Sequence, residues 1–267
     1  MSTDLFDLTG QHVLVTGGAR GIGRMIAEGL LRRGVTVYLS TRKEAAAAEA
    51  ARELGELGEV HAFAVDIGTE QGARDLVARV AAHTDRLNAV INNAGATWGA
   101  PFDEFPDSAW DKVFGVNVKA PFNVAKAARP LLEAAAAADG GPSRIINIGS
   151  IDGLLVPNYE NYSYSAAKAA IHHLTRHMAA NLAPSILVNA VAPGPFPTKM
   201  MQFLLDERGE EIENANPLGR LGLPGDIDGT VTFLLSAASS FITGAVIPLD
   251  GGLTTTASVS LFNAEEA

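Results

Sequence analysis

The chain contains no cysteine, which excludes disulfide bonds, thiolate nucleophiles and cysteine-based metal sites. No apolar run approaches the roughly 20 residues that a membrane-spanning helix requires. Basic residues are also few: 20 lysines and arginines stand against 30 acidic residues, so the net charge is −10. Such a charge opposes unspecific binding to nucleic acid or to anionic lipid. The first residues lack a basic leader, and we expect a cytoplasmic protein without a nucleic-acid or membrane partner.

Aliphatic side chains are abundant, and 47% hydrophobic residues supply a core for one domain. Short β-branched runs alternate with longer helical segments, a pattern typical of crossover units and a parallel sheet. The runs lie at 12–15, 35–40, 60–65, 88–92, 144–148, 186–191 and 245–249. We therefore predict an α/β fold with a doubly wound, seven-stranded parallel sheet. It forms a single domain over residues 1–267, with a small lid at about 195–222.

Residues 16–23 have the sequence Thr-Gly-Gly-Ala-Arg-Gly-Ile-Gly and stand between the first predicted strand and a helical segment. Such a turn cradles phosphate, because glycines let the backbone approach a diphosphate and the helix N-terminus offers free N–H groups. The spacing differs from the common Gly-x-Gly-x-x-Gly fingerprint, since Ile26 occupies the place of the third glycine. The turn alone therefore does not establish dinucleotide binding.

Tyr164 and Lys168 are four residues apart, which places both side chains on one face of a helix. The ordinary pKa of a phenol is about 10, so a tyrosine that transfers a proton near neutral pH needs a positive charge nearby. Lys168 supplies that charge, and we expect it to ease ionisation of Tyr164, which would act as general acid or base. In isolation, the same pair is also typical of an exposed helix surface.

The end of the second predicted strand indicates which dinucleotide binds. An acidic residue there accepts a hydrogen bond from the ribose 2′-hydroxyl of NAD, whereas a basic residue suits the 2′-phosphate of NADP. This chain has Thr41 and Arg42, with no carboxylate before Glu44, and Arg20 adds a second cation. Two guanidinium groups and a hydroxyl favour a phosphate, so we predict NADP(H). Arg42 taken alone is equally compatible with a solvated loop.

Further motifs follow in order along the chain: Asp66-Ile67, Asn92-Asn93-Ala94-Gly95, Asn117, Ser150, and Pro193-Gly194 leading through Phe196 to Thr198. Together with the glycine turn and the Tyr164/Lys168 pair, they make the chain resemble the short-chain dehydrogenases/reductases over nearly its whole length. Within that family it is similar to bacterial 3-oxoacyl-thioester (3-oxoacyl-acyl carrier protein) reductases of the rhamnolipid-precursor type. The resemblance implies a Rossmann-like fold, a homotetramer or homodimer, and an NADP(H)-dependent oxidoreductase that reduces a ketone to a secondary alcohol.

The resemblance also implies the roles of individual residues. Tyr164 would transfer the proton, Ser150 would bind the carbonyl oxygen, Lys168 would hold the nicotinamide ribose, and Asn117 would keep a relay water in place. The implied cofactor-binding residues are Gly17, Ala19, Arg20, Gly21, Ile22, Gly23, Thr41, Arg42, Asp66, Ile67, Asn93, Ala94, Gly95, Tyr164, Lys168, Pro193, Gly194, Phe196 and Thr198. No metal is expected, and the histidines of the Tyr164 helix are interpreted as packing residues.

Departures from the family pattern concentrate near the substrate. Ser150 precedes Tyr164 by fourteen residues, one more than the usual family spacing, and the extra residue falls in the loop 152–161. Phe196 takes the place of an aliphatic residue, and the prolines on either side of it stiffen the chain. Apolar residues follow in an amphipathic segment at 199–205 and in the substrate loops. These residues either favour a substrate with an apolar tail or serve only to pack the lid. They are Trp98, Leu154, Leu155, Val156, Met200, Met201, Phe203, Leu204 and Leu205.

Other functions remain open. A sugar, polyol or steroid-type alcohol dehydrogenase of the same family would share every catalytic residue. A non-catalytic NADP(H) sensor is less favoured, because such proteins lose the tyrosine or the lysine. For a 3-oxoacyl substrate, residues 183–185 lack the basic residue that carrier-dependent relatives show before the sixth strand. We therefore expect small ketones or coenzyme A thioesters to serve as well as, or in place of, carrier-bound chains.

Overall fold

The computed structural model describes residues 4–199 and 201–256, without the side chains of residues 203 and 204. The strands are β1 His12–Thr16, β2 Thr36–Thr41, β3 Val60–Ala64, β4 Ala89–Asn92, β5 Ser143–Ile148, β6 Ile186–Pro193 and β7 Val246–Leu249. The helices are α1 Gly21–Arg32, α2 Glu44–Leu54, α3 Glu70–Ala81, α4 Asp107–Phe114, α5 Ala120–Asp139, α6 Tyr162–Leu182, α7 Gln202–Ala215 and α8 Pro224–Leu235. All strand pairs are parallel, in the order β3-β2-β1-β4-β5-β6-β7.

The predicted doubly wound sheet is confirmed, and every predicted strand is present. Six strands agree with the prediction to within one residue at each end, whereas β6 extends two residues further, to Pro193. The extension has a simple cause: β7 continues beside it, pairing Pro193 with Leu249. The next amide, of Gly194, still donates to the Leu249 carbonyl at 3.0 Å.

Helices cover both faces of the sheet, and the strands divide their side chains between two apolar clusters. In β1, Val13 and Val15 join the cluster that includes Ile26 of α1, whereas Leu14 joins the cluster formed with α3 and α5. This alternation follows from the two-residue period of a strand. Because both faces are buried, the strands have continuous aliphatic sequences. No helix in the described part of the chain is long and apolar enough to cross a membrane.

The strand order reverses between β1 and β4, and this is where ligands bind in doubly wound sheets. The carboxyl ends of these strands are tied together. The Thr16 hydroxyl accepts hydrogen bonds from the amides of Asn93 and Ala94, at 3.0 and 3.1 Å. The glycine turn after β1 and the loop after β4 therefore form the two walls of one crevice.

The segment predicted as a lid, at about 195–222, contains helix α7, which overlaps the amphipathic residues 199–205 only in part. The Met201 amide donates to the Thr198 carbonyl at 2.9 Å just before α7. The helix begins at Gln202, runs well past the predicted segment 199–205 and is interrupted at Arg208. The Gly222 amide donates to the Pro195 carbonyl at 2.9 Å, which joins the two ends of the region. Met200 lies outside the described residues, as do the side chains of Phe203 and Leu204.

A buried amide network links the sheet to α6. Asn92 donates through Nδ2 to Asn147 Oδ1 at 2.9 Å, and Asn147 Nδ2 donates to Thr175 Oγ1, also at 2.9 Å. Thr175 in turn donates to the Ile171 carbonyl within α6. The network holds α6 against β4 and β5, just below the ends of the strands that carry the predicted site.

We expect Asn147→Ala to lower the free energy of unfolding by about 2–4 kcal/mol, because it removes the main acceptor of Asn92 and leaves a cavity. Urea denaturation followed by circular dichroism measures the loss. Asn181→Ala is the matched control, since that amide is exposed and donates to a carbonyl within the same helix. Equal losses in the two variants would show that the network does not stabilise the fold.

Candidate active site

The glycine turn has the geometry of a dinucleotide cradle. Gly17 and Gly21 have φ values of 66° and 55°, in the left-handed region that favours glycine. A Cβ at Gly23 would overlap the Asn93 amide and lie 2.5 Å from the Gly17 carbonyl oxygen. Helix α1 begins at Gly21, and Arg20 makes no side-chain cap. The first amides of α1 therefore remain available to a pyrophosphate.

Asn93 braces this turn from the opposite wall of the crevice. Its Nδ2 donates to the carbonyls of Thr16 and Gly17, at 3.0 and 3.2 Å. The sequence predicts only backbone contacts with the ribose at 93–95, so this side-chain role was missed. The asparagine pair at the end of β4 is the signal that could have indicated it.

The predicted site for a 2′-phosphate lies next to the turn. Ser40 of β2 pairs with Thr16 of β1, and its hydroxyl accepts from the Gly17 amide at 3.4 Å. Thr41 and Arg42 follow directly, and Arg42 is exposed, as is Arg20. Among residues 4–199 and 201–256, neither arginine has an ion-pair partner. These groups fit a phosphate in chemistry and in position.

The remaining predicted cofactor residues lie at or just after the carboxyl ends of β1, β3, β4 and β6: Ala19, Ile22, Asp66, Ile67, Asn93, Ala94, Gly95, Pro193, Gly194 and Thr198. Thr198 comes close to the glycine turn, with Cγ2 3.4 Å from where a Cβ on Gly21 would lie. Phe196 differs from the others, because its ring is buried in the core against Gly222. Only its backbone is therefore free to meet a nicotinamide.

Tyr164 and Lys168 lie together on α6, as predicted. The Lys168 amine lies 5.4 Å from the centre of the Tyr164 ring and donates to the Ile148 carbonyl at 2.8 Å. Lys168 is buried, and so is Ser150, which follows β5. The Ser150 hydroxyl acts on the Tyr164 phenol, whose pKa it lowers. The structure thus gathers three of the four predicted catalytic side chains at one edge of the sheet.

Burial dominates the acidity of this pair. Burial raises the pKa of Tyr164, the negative charge of Asp152 raises it further, and the Ser150 hydrogen bond offsets only part of the rise. Burial lowers the pKa of Lys168 to about 8, with Asp152 opposing the shift. In the chain without a cofactor the pKa of Tyr164 is therefore raised, and the easing of its ionisation by Lys168 stays a prediction. The phenol remains a protonated donor at neutral pH.

Asn117, the fourth predicted catalytic residue, lies in a π-helical turn at Gly115–Lys119 between α4 and α5. Its Oδ1 accepts from the Ala96 amide at 2.9 Å, and its Nδ2 donates to the Ala96 carbonyl at 2.8 Å. The side chain thus fixes the loop after β4, and π-helical turns are frequent at functional sites. That Asn117 holds a relay water stays a prediction.

Asp152 is a further polar residue of this region, and it belongs to none of the sequence motifs. It is buried two residues after Ser150, and it accepts hydrogen bonds from Tyr159 Oη at 2.6 Å and Asn161 Nδ2 at 3.0 Å. Nearby, Tyr162 at the start of α6 packs edge-on against Phe102. A carboxylate followed by an apolar run was the one signal in the sequence that could have indicated a buried anion.

The histidines of α6 behave differently from one another. His173 and His177 are exposed, whereas His172 is buried beside Gly149, where a Cβ would overlap its ring. Neither ring nitrogen of His172 has a well-formed hydrogen bond among the described residues. Burial, assisted by the charge of Lys168, lowers the pKa of His172 to about 4. Residues 4–199 and 201–256 contain no group of three histidine or acidic side chains suited to a metal ion.

We expect His172 to limit stability in acid. Its pKa is about 4 in the folded chain and 6.5 in the unfolded one, so unfolding takes up a proton in this interval. Its contribution is complete above pH 6.5 and is lost as the pH falls through about 4, at a cost of up to about 3 kcal/mol. Urea denaturation across this range should show a shallower slope in His172→Gln than in the wild type. His173→Gln is the control, and equal slopes in both variants would contradict the assignment.

Comparisons with known proteins agree with this geometry. The family model described as enoyl-(acyl carrier protein) reductase matches residues 17–254. The rhamnolipids biosynthesis 3-oxoacyl-(acyl-carrier-protein) reductase of Pseudomonas aeruginosa is 40% identical over 250 residues, which cover 92% of this chain and 97% of that protein. Cyclopentanol dehydrogenase of a Comamonas species is 35% identical over 247 residues, covering 91% and 96%.

A solved structure gives the same result. The Pseudomonas aeruginosa RhlG/NADP active-site complex has a TM-score of 0.90 and 38% identity, over 95% of this chain and 100% of that one. The resemblance drawn from the motifs is thereby confirmed. The chain belongs to the short-chain dehydrogenase/reductase family.

Proposed function

We propose that this chain is an NADP(H)-dependent oxidoreductase that reduces a ketone to a secondary alcohol, with a 3-oxoacyl thioester or a similar apolar carbonyl compound as its substrate. The observation that carries the proposal is the Lys168 amine held beneath the Tyr164 phenol, at the sheet edge where the glycine turn lies. A cradle for a dinucleotide and a proton donor thus share one edge, and ketone reduction needs both.

Tyr164 is the residue suited to give the proton. Because its raised pKa keeps the phenol protonated, it can donate to the alkoxide that forms as the carbonyl is reduced. The Ser150 hydroxyl binds the carbonyl oxygen and stabilises the charge that develops there. Lys168, when charged, favours the tyrosinate left behind, since a nearby cation stabilises the ionised phenol. Asn117 is proposed to hold the water through which the proton is replaced.

The residues around the turn fit NADP(H), and bound NADPH supplies the hydride. The first turn of α1 would bind the pyrophosphate, while Thr41, Arg42 and Arg20 would bind the 2′-phosphate. The complex of the Pseudomonas aeruginosa relative with NADP supports this choice. The proposed contacts to the other parts of the cofactor come from Asp66, Ile67, Asn93, Ala94, Gly95, Lys168, Pro193, Gly194, Thr198 and the backbone of Phe196.

An apolar substrate is favoured by the surface at the mouth of the site. Leu154, Leu155 and Val156 are all exposed, Val156 to 89%. Trp98 is also exposed, and the Lys112 amine lies 5.1 Å from its ring. Contiguous exposed apolar side chains beside a catalytic group are typical of a surface that a ligand covers. An acyl chain suits such a surface, and the relative named as a 3-oxoacyl reductase supports that class.

The negative charge of the chain bears on whether the acyl group arrives on coenzyme A or on a carrier protein. With a net charge of −10, the chain needs local basic residues to dock an acidic carrier protein, and residues 183–185 offer none before β6. We therefore propose that coenzyme A thioesters or small ketones are accepted as well as, or in place of, carrier-bound chains. A strict requirement for the carrier in a comparison of both thioester forms would contradict this part.

Assembly and organisation remain proposals based on the family resemblance. We propose a cytoplasmic homotetramer, or a homodimer, in which each chain is one domain over residues 1–267. The segment at about 195–222 is proposed to close over the substrate. Support for a lid comes from its base, where Gly222 bonds Pro195, and from the largely exposed surface of α7.

A second candidate is an alcohol dehydrogenase for simple cyclic or sugar-like substrates, which the identity with cyclopentanol dehydrogenase favours. Both candidates use the same catalytic residues, so a substrate panel separates them. A sensor without activity is less favoured, because Tyr164 and Lys168 are both present and in contact. Tight binding of NADPH by a wild type that reduces no ketone would favour the sensor.

We expect Tyr164→Phe to lower kcat/KM for ketone reduction by at least about 100-fold, because general acid catalysis contributes that much or more. The affinity for NADPH, followed by its fluorescence, should change little, since the ring remains in place. Tyr162→Phe is the matched control on the same helix and should retain activity. Unaltered turnover in Tyr164→Phe would contradict the mechanism.

We expect Arg42→Ala to raise the KM for NADPH about tenfold or more while leaving the KM for NADH nearly unchanged, because one charge-assisted hydrogen bond to the 2′-phosphate is lost. Steady-state kinetics with both cofactors measure the difference. Arg52→Ala serves as the control, since Arg52 lies on α2 and pairs with Glu53. An equal rise in the KM for NADPH and for NADH would show that Arg42 does not bind the 2′-phosphate.

A further inference from the structure

Asp152 lies closer to the proposed chemistry than any other carboxylate described above. It comes two residues after Ser150, and its backbone amide donates to the Ser150 hydroxyl at 3.2 Å. Only 7% of Asp152 is exposed. A buried carboxylate is costly unless it is well bonded, and here Tyr159 and Asn161 both donate to Oδ2. Such a group needs an explanation beyond chain packing.

The two partners of Asp152 connect the substrate loop to the catalytic helix. The Asn161 carbonyl accepts from the Tyr164 and Ser165 amides, at 2.8 and 3.1 Å, in the first turn of α6. Tyr159 lies in the loop that carries the additional residue between Ser150 and Tyr164. One carboxylate oxygen therefore holds both the loop and the helix start on which the phenol depends.

The charge of Asp152 also acts on the catalytic pair. Burial is the larger cause of the raised pKa of Tyr164, and the charge of Asp152 raises it further. Burial lowers the pKa of Lys168, and the charge of Asp152 offsets part of that change. The other titratable groups here are Tyr159, which donates to Asp152, and His172, which faces Lys168. Arg176 acts on His172 from the next turn of α6. Asp152 is the one anion among them.

We propose that Asp152 is a positioning residue that keeps Tyr164 in its proton-donating form and fixes the loop 152–161 against α6. The inference rests on the proposed ketone reduction. It adds that the Asp152 carboxylate extends, toward higher pH, the range in which Tyr164 can donate its proton. Without the carboxylate, the phenol and the amine both lose their protons more readily. The donor then fails at a lower pH.

Asp152→Asn tests the charge, because the amide oxygen can still accept from Tyr159. The pH at which kcat/KM for ketone reduction declines should fall by about half a unit or more. Tyr159→Phe tests the hydrogen bond alone, because the charge remains. That variant should raise the KM for the ketone through a looser loop and leave the pH profile unchanged. Asp152→Glu retains the charge and should also keep the wild-type profile.

A titration that needs neither cofactor nor substrate provides the second readout. In protein labelled with carbon-13 at lysine Cε, the Lys168 signal is assigned by its loss in Lys168→Met. Its midpoint should fall in Asp152→Asn and stay at the wild-type value in Tyr159→Phe. If Asp152→Asn does not fold, Asp152→Ser carries the same prediction.

An unchanged Lys168 midpoint and an unchanged pH limit in a folded Asp152→Asn variant would overturn the proposal. Equal shifts in Asp152→Asn and Tyr159→Phe would also overturn it, since the effect would then be one of loop structure. If the wild type reduces no ketone with NADPH, the proposed function fails, while the lysine titration still decides the role of Asp152.

Discussion

A single buried ammonium group organises this site. Lys168 lies under the Tyr164 ring and bonds the Ile148 carbonyl at the end of β5. The loop after Ser150 packs closely on α6 here, because a Cβ at Gly153 would lie 2.6 Å from the Lys168 backbone. Burial makes the charge costly, and the chain offsets part of this cost with Asp152 rather than with a direct ion pair. The phenol, the amine and the carboxylate therefore form one electrostatic unit.

That unit is useful only because the fold brings it to the dinucleotide turn. The turn follows β1, Ser150 follows β5, and β4 lies between these strands. Asn93 holds the turn, while the network from Asn92 through Asn147 to Thr175 holds α6. Neighbouring residues at the end of β4 thus support the two halves of the site. Polar side chains within an apolar sheet fix positions that aliphatic packing alone leaves adjustable.

Much of the fold follows from local features of the sequence. Strands that are buried on both faces have continuous β-branched runs, so the runs predict the seven strands with small errors at their ends. The order of the motifs identifies the family, and the strand ends then locate the residues of the predicted site. The position of α7 is less predictable: the helix begins at Gln202, inside the amphipathic segment and after prolines at 195 and 197, and it continues well past the end of that segment.

Electrostatics and side-chain direction depend on contacts distant in sequence, and prediction fails there. Spacing places Lys168 beside Tyr164, but it does not show that burial and Asp152 raise the pKa of the phenol. Phe196 stands among cofactor motifs, yet its ring packs into the core against Gly222. Asp152 belongs to no motif, and only the fold reveals that it faces Tyr159 and Asn161.

The most direct measurement of the central claim is a structure of the chain with NADP⁺ and a secondary alcohol. We expect the Tyr164 hydroxyl to lie about 2.6–3.2 Å from the alcohol oxygen and the Lys168 amine to contact the nicotinamide ribose. A complex in which the phenol and the amine are turned away from the nicotinamide, or in which the dinucleotide does not lie across the turn at 16–23, would contradict it.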